Sequence, residues 1–353
     1  MKISIGTNIK DGPWGGGNLF AINLTNYLRG NGHEVVYDLN DSNIDIILMT
    51  EPRKTSESSA FTNYDIQKYL TYKNSSALVV HRINECDERK TTNYVNKYLL
   101  NANKVADATI YVSSWIKSIF DNLEIEKKDN FVVLAGANKK IFNNSGYKSR
   151  EKNDKYKIVT HHWGGNKNKG FDIYELLDTL LDEKKWSNLI EFKYIGNLPK
   201  NFKFKNVKHV KPLSGQLLAD EIKKSHIYLT ASLNEPSGNH HIEGAQCGLP
   251  LLYIESGGIP EYCIGYGIGF NNTNFLDKLS LMIENYEKEV IKVKTYPRNS
   301  DLMSEEFLTI FQNLIDKKDA IIELRSNSYK YSTLGALNYK ISEKFHSPKK
   351  LKK

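Results

Sequence analysis

The sequence predicts an α/β chain of two similar halves, each a parallel sheet covered by helices on both faces. Short apolar runs alternate with stretches of helical periodicity from residue 3 to about residue 315. A polar stretch at residues 143–154, Asn-Asn-Ser-Gly-Tyr-Lys-Ser-Arg-Glu-Lys-Asn-Asp, separates two such series. A chain of 353 residues has room for about two domains.

The first series opens with a strand at residues 3–5 and a loop, Gly12-Pro-Trp-Gly-Gly-Gly17. Leu19, Ile22, Leu24, Tyr27 and Leu28 then recur at helical spacing, and Gly30-Asn-Gly-His33 ends that helix. Strands follow at residues 35–37, 44–49, 77–82, 108–112 and 131–134, with helices at 65–72, 93–103 and 114–123. The second series has strands at 157–160, 190–195, 207–210, 227–230, 251–254 and 268–270. Its helices fall at 174–181, 216–225, 242–247, 275–286 and 304–315. The expected division is a first domain at 1–145, a linker at 146–156, a second domain at 157–320, and a partly helical segment with a basic tail at 321–353.

Composition fits an ordinary globular protein: 40% hydrophobic and 25% charged residues. No run of about 18 apolar residues is present, so no membrane span is expected. The opening Met-Lys-Ile-Ser-Ile-Gly lacks the apolar core of a signal peptide. Three cysteines without metal-like spacing point to a reducing cytoplasm. The net charge of +8 admits a nucleic acid, an anionic membrane surface, a phosphorylated substrate, or simple Lys and Asn bias. No RNA- or DNA-binding motif is visible, so nucleic acid is not expected as a partner.

Three loops follow apolar strands, where open α/β sheets place ligands. Gly15-Gly16-Gly17 lets backbone N–H groups approach a phosphate or sugar, or is a plain tight turn. It does not match Gly-x-Gly-x-x-Gly, so a dinucleotide fingerprint is not supported. In His81-Arg-Ile-Asn-Glu-Cys-Asp-Glu-Arg89, Asn84, Asp87 and Arg89 could hold hydroxyls, or the loop is a solvated charged one. In His161-His-Trp-Gly-Gly-Asn-Lys-Asn-Lys-Gly-Phe171, Lys167 and Lys169 stand where a helix begins, a natural grip for a diphosphate. The fourth stretch runs from Leu233 to Glu261 and carries Glu235 at a strand end. Glu243 lies near the first turns of the next helix. The pairs His161-His162 and His240-His241 raise a metal, but adjacent histidines point apart and no metal is expected.

Taken in order, Gly32-His33-Glu34-Val35, Ser113, Gly136-Ala-Asn-Lys-Lys-Ile-Phe142, Lys169-Gly170, Glu235-x7-Glu243, Gly248-Leu-Pro250 and Gly257-Gly-Ile-Pro-Glu261 resemble the GT-B retaining glycosyltransferases of family 4. The resemblance implies two Rossmann-like domains facing across a cleft, with the nucleotide-diphosphate sugar on the second and the acceptor on the first. It puts Glu235 against the donor sugar's hydroxyls and Glu243 on the ribose. Backbone N–H groups of Ser237, Gly238, Asn239 and His240 would line the sugar pocket, and Leu213 would lie near the base. Lys169, helped by Lys167, would neutralise the leaving diphosphate, and Gly16 or Gly17 would approach it from the first domain. Asp87 and Arg89 would stand on the acceptor side.

This sequence departs from the pattern twice. Trp163 and Gly164 stand where the family has an arginine, so Lys167 or His162 would have to compensate. Asn84 stands where the family often has a catalytic histidine, and an amide cannot take a proton at neutral pH, so Asp87 or Glu85 becomes a base candidate. No cofactor is implied beyond the donor substrate. No Asp-x-Asp metal motif occurs; Asp41 and Asp45 have the wrong spacing.

The expected activity is therefore retaining sugar transfer to a glycan, lipid-linked or other hydroxyl acceptor. The alternatives are a nucleotide-sugar epimerase or phosphorylase of the same architecture, and a non-catalytic glycan- or nucleic-acid-binding protein. Residues 328–345 are expected to return to the first domain. The basic tail at 347–353 could touch an anionic membrane, placing the protein in the cytoplasm or peripherally at a membrane's inner face, or could simply aid solubility.

Overall fold

A computed structural model describes residues 1–10, 15–123, 125, 129–328, 337 and 341. The 12–14 part of the first glycine loop and the tail at 347–353 lie outside the described residues, as does nearly all of the 328–345 return. Contacts divide the chain into unit 1, Met1–Leu134 with Asp301–Lys353, and unit 2, Ala135–Ser300. The polar stretch at 143–154 thus lies inside unit 2.

Unit 1 has six parallel strands: β1 Lys2–Ile5, β2 Glu34–Val36, β3 Ile46–Met49, β4 Leu78–Ile83, β5 Ala108–Tyr111 and β6 Asp129–Val132. Their order is β2-β1-β3-β4-β5-β6. The inner strands β3 to β5 are buried on both faces, which is why they read as unbroken apolar runs. Side chains alternate between two cores. Ile46 and Leu48 join one; Ile47 and Met49 join the other. The first core is covered by the helix Gly16–Gly30, through Phe20, Leu24 and Leu28, and by the helix Ser300–Asp316.

That last helix marks a difference from the sequence expectation, which set residues 304–315 in the second domain. Met303, Phe307, Phe311 and Leu314 bury against unit 1, with the Phe20 and Phe307 rings 5.2 Å apart. The apolar stripe predicts a helix but not which core it covers. Phe307→Ala, at a fully buried site, is expected to lower the stability of unit 1 by about 3–5 kcal/mol. Urea denaturation followed by far-UV circular dichroism checks this.

Unit 2 also has six parallel strands: β7 Tyr156–His162, β8 Ile190–Gly196, β9 Lys208–Val210, β10 Ile227–Thr230, β11 Leu251–Ile254 and β12 Gly267–Phe270. Their order is β12-β11-β10-β7-β8-β9, the doubly wound arrangement with its switch between β7 and β10. The expected helix at 242–247 starts earlier, as Asn239–Gln246. The segment expected as one helix at 275–286 is two, Phe275–Glu284 and Tyr286–Val293.

Candidate active site

The residues that carry chemistry in unit 2 gather where β7 and β10 end, at the switch in strand order. Beyond His162 the chain loops into a short 3-10 turn, Lys167–Lys169, and then the helix Phe171–Leu180. Gly170 joins them with φ +96°, and a Cβ there would lie 2.4 Å from the Ala231 Cβ just past β10. Only glycine lets this turn press so closely on the next strand. The Leu233 N–H donates to the Asn168 carbonyl at 2.8 Å and locks the two loops together. Lys169 Nζ is thereby set 2.6 Å from Glu235 Oε2, with the two side chains 14% and 7% exposed.

Glu235 is held from its other side by the loop after β11. Gly257 has φ +64°, and a Cβ on it would lie 2.6 Å from the Glu235 carbonyl oxygen. The Gly258 N–H donates to that same oxygen at 2.8 Å. The Gly-Gly pair noted in the sequence thus fixes the backbone that aims the carboxylate.

Glu243 lies in the second turn of the helix Asn239–Gln246, which packs flush on β10: a Cβ on Gly244 would meet the Tyr228 ring at 2.3 Å. His161 is the partner that the sequence reading missed. Its Nε2 donates to Glu243 Oε2 at 2.7 Å, and its Nδ1 accepts from the Tyr228 hydroxyl at 2.9 Å. That hydroxyl accepts the His161 backbone N–H at 3.2 Å. No sequence signal tied residue 161 to residue 243; only the pairing of β7 with β10 brings them together.

The four histidines form one cluster, with the His162 and His240 rings 4.6 Å apart and those of His240 and His241 4.9 Å apart. Their bonds diverge: His162 Nε2 meets the Tyr174 hydroxyl at 2.7 Å, and His240 Nε2 meets the Thr230 hydroxyl at 2.7 Å. Among the described residues no group of three or more His, Cys, Asp or Glu is placed to hold a metal ion. Burial, with the nearby Lys169 charge second, holds His162 neutral well below the usual histidine range. His162 therefore cannot supply the positive charge missing at Trp163 and Gly164. Lys167, exposed in the 3-10 turn, remains the candidate for that role.

These buried imidazoles make stability pH-dependent. Burial depresses His241 to about 3 and His240 well below its usual value. The folded state binds fewer protons than the unfolded one. The stability contribution is therefore complete above the unfolded value of 6.5 and is lost on acidification toward about 3. Urea midpoints should fall steadily below pH 6.5, and His241→Phe should flatten part of that slope.

Other expected donor-side residues line the same end of unit 2. Ser237, Gly238 and Asn239 are half-buried and His240 is buried. Because the helix begins at Asn239, two of the N–H groups expected to face the sugar, those of Asn239 and His240, belong to its first turn, which leaves them without helical partners, and Gly238 is its N-cap. Leu213 is half-buried in the loop after β9.

In unit 1, Gly16 and Gly17 open the helix Gly16–Gly30 and are exposed. Space around Gly15 and Gly17 is open, and Asn18 braces the loop through bonds of 2.9 Å to the Lys10 N–H and carbonyl. Asn84 sits half-buried just past β4. Asp87 is occupied structurally. Its carboxylate accepts from the Thr92 hydroxyl and from the N–H groups of Tyr94, Val95 and Asn96, which anchors the helix Val95–Asn103. Burial alone would raise its pKa, but those bonds outweigh it and hold the group below the usual carboxylate range. Glu85 pairs with Lys90 at 2.6 Å and with Arg89 at 3.4 Å. The geometry thus gives Asp87 structural bonds and pairs Glu85 with both Arg89 and Lys90.

No protein-family model matches the chain. A stretch of 80 residues, 22% of the chain, is 34% identical to the phosphatidylinositol N-acetylglucosaminyltransferase gpi3 subunit of Schizosaccharomyces pombe and spans 18% of that protein. Solved structures match far more of the chain. The catalytic domain of starch synthase IV from Arabidopsis thaliana, bound to ADP and acarbose, aligns with TM-score 0.66 and 12% identity over 89% of this chain and 99% of that one. A glycosyltransferase from Rickettsia africae ESF-5 aligns with TM-score 0.63 and 15% identity over 89% and 98%. The chain therefore has the GT-B fold, two Rossmann-like α/β units with one six-stranded parallel sheet each.

Proposed function

We propose that this chain is a glycosyltransferase that moves a sugar, with retention of configuration and without a metal, from a nucleotide-diphosphate donor to a hydroxyl acceptor. The observation that carries the proposal is the buried Lys169–Glu235 pair, 2.6 Å apart at the switch point of unit 2. The starch synthase that shares this fold was solved bound to ADP and acarbose, which supports a nucleoside-diphosphate donor here.

Retaining transfer passes through a state with positive charge on the sugar and negative charge on the departing phosphate. Lys169 faces the phosphate and Glu235 faces the sugar, so opposite charges meet opposite charges. Lys167 and the first-turn N–H groups of the helix Asn239–Gln246 add to phosphate and hydroxyl recognition. Glu243, braced by His161, holds the ribose. The departing diphosphate takes the acceptor's proton, which suits a site where Asn84 replaces a base and Asp87 is fully bonded. The acceptor, a glycan or lipid-linked hydroxyl, is assigned to unit 1.

No helix among the described residues is long and apolar enough to cross a membrane. Peripheral contact through the basic tail is proposed for a lipid-linked acceptor. Vesicle co-sedimentation unchanged by deleting residues 347–353 would remove that part.

A thermal-shift screen over nucleotide sugars tests the whole reading, because a ligand that binds the folded state raises its melting temperature. One base should give a clear rise with both its diphosphate and its sugar. No response to any nucleoside diphosphate overturns the proposal. Product configuration by NMR tests retention, and activity in excess EDTA tests metal independence.

A further inference from the structure

At the amino ends of the unit 2 strands, away from the carboxyl ends that carry Lys169 and Glu235, lies a cavity of about 560 Å³. That volume is in the range that takes a small metabolite. Lys155, Lys157, Lys193, Lys208 and Lys224 line it, against two acids, Glu191 and Glu221. Glu221 is shared by two lysines, Lys193 at 2.7 Å and Lys224 at 2.7 Å. Among the described residues Lys155, Lys157 and Lys208 form no salt bridge. The lining therefore carries excess positive charge even after its internal pairs are counted.

One further feature points to an anion. The β8–β9 register sets Lys208 opposite Lys193, whose charge is already shared with Glu221, as is that of Lys224. An incoming anion would supply negative charge that the single Glu221 carboxylate does not. Ile158 and Phe192 add apolar wall for the uncharged part of a ligand.

We infer that this lysine-lined cavity is a second anion site, for a phosphate or diphosphate group on a small molecule or a lipid head group. It is separate from the donor site and does not rest on the glycosyltransferase reading. Lysine suits such a role as a mobile point charge for phosphate.

The test measures inorganic pyrophosphate binding by isothermal titration calorimetry to the full chain. The variants are Lys169→Met, which disables the candidate donor grip, and the double variant Lys157→Glu/Lys208→Glu, whose lysines form no salt bridge among the described residues. Circular dichroism confirms that each is folded. Pyrophosphate should still bind Lys169→Met and should bind about 100-fold more weakly when Lys157→Glu/Lys208→Glu is added to it. Co-sedimentation with phosphatidylcholine vesicles doped with phosphatidic acid separates the sources. Vesicle binding lost in the double variant assigns the site to a lipid head group, and soluble binding alone assigns it to a free metabolite. If Lys157→Glu/Lys208→Glu leaves both kinds of binding unchanged, or if neither probe binds Lys169→Met, the inference is overturned. Nucleoside diphosphate binding to Lys157→Glu/Lys208→Glu should match the unmodified protein, so failure here is distinguishable from failure of the donor site.

Discussion

Lys169→Met is expected to lower the rate of sugar transfer by about 10²–10³-fold, the usual cost of removing a preorganised group that stabilises transition-state charge. The ammonium is 14% exposed and is already fixed by Glu235, so little reorganisation is needed when the phosphate departs. The same change leaves a buried carboxylate without its lysine, which costs about 3–5 kcal/mol of stability. The two effects separate by pH. In the variant the folded state favours the protonated Glu235, so its folded pKa rises above the unfolded value. The penalty is then absent below the unfolded value of about 4.3 and grows as pH rises through the folded one. Urea midpoints of variant and parent should therefore converge on acidification, while transfer stays lost at every pH. Full transfer by Lys169→Met in steady-state assays would refute the assigned role.

The sheets were legible in the sequence because their central strands are buried on both faces. Ile46–Met49 and Leu251–Ile254 have no polar side to confuse the pattern. Strand existence needs only that local signal. What the pattern could not carry was the association of elements. The helix Ser300–Asp316 has a clear apolar stripe, yet its place in unit 1 depends on Phe20 and Leu24, nearly three hundred residues away. The early start of the helix Asn239–Gln246 was hidden because His240 and His241 are indifferent helix formers. Asp87 looked like a free carboxylate because its partners depend on Thr91 taking a left-handed turn, with φ 53°. The site shows the same limit. Motifs marked Lys169 and the Glu235-x7-Glu243 pair separately, and their resemblance to a known family set them in roles. The Lys169–Glu235 pair and the His161–Glu243 bond arise only where β7 and β10 lie side by side.

Replacing Glu235 separates its two candidate duties. Glu235→Ala removes both the hydrogen bonds to the sugar and the negative charge, and should abolish measurable transfer, about 10³-fold or more. Glu235→Gln keeps a carbonyl oxygen that can accept from a sugar hydroxyl but loses the charge. If the carboxylate only binds the ground-state sugar, Glu235→Gln should raise KM and leave kcat alone. The arrangement here argues for the other outcome, because Glu235 is buried beside the cation that draws off the phosphate. A negative charge at that point opposes the positive charge that develops on the sugar. The expected result is a fall in kcat with KM little changed, and Glu235→Gln retaining more activity than Glu235→Ala. Binding of the nucleoside diphosphate should move in the opposite direction. With its carboxylate partner neutralised, Lys169 is fully available to the phosphates, so the diphosphate should bind Glu235→Gln at least as tightly as the parent by calorimetry. Loss of diphosphate binding in Glu235→Gln, despite a folded protein, would mean that Glu235 holds the nucleotide rather than the sugar. Undiminished transfer by Glu235→Ala would end the case for this site as the catalytic one.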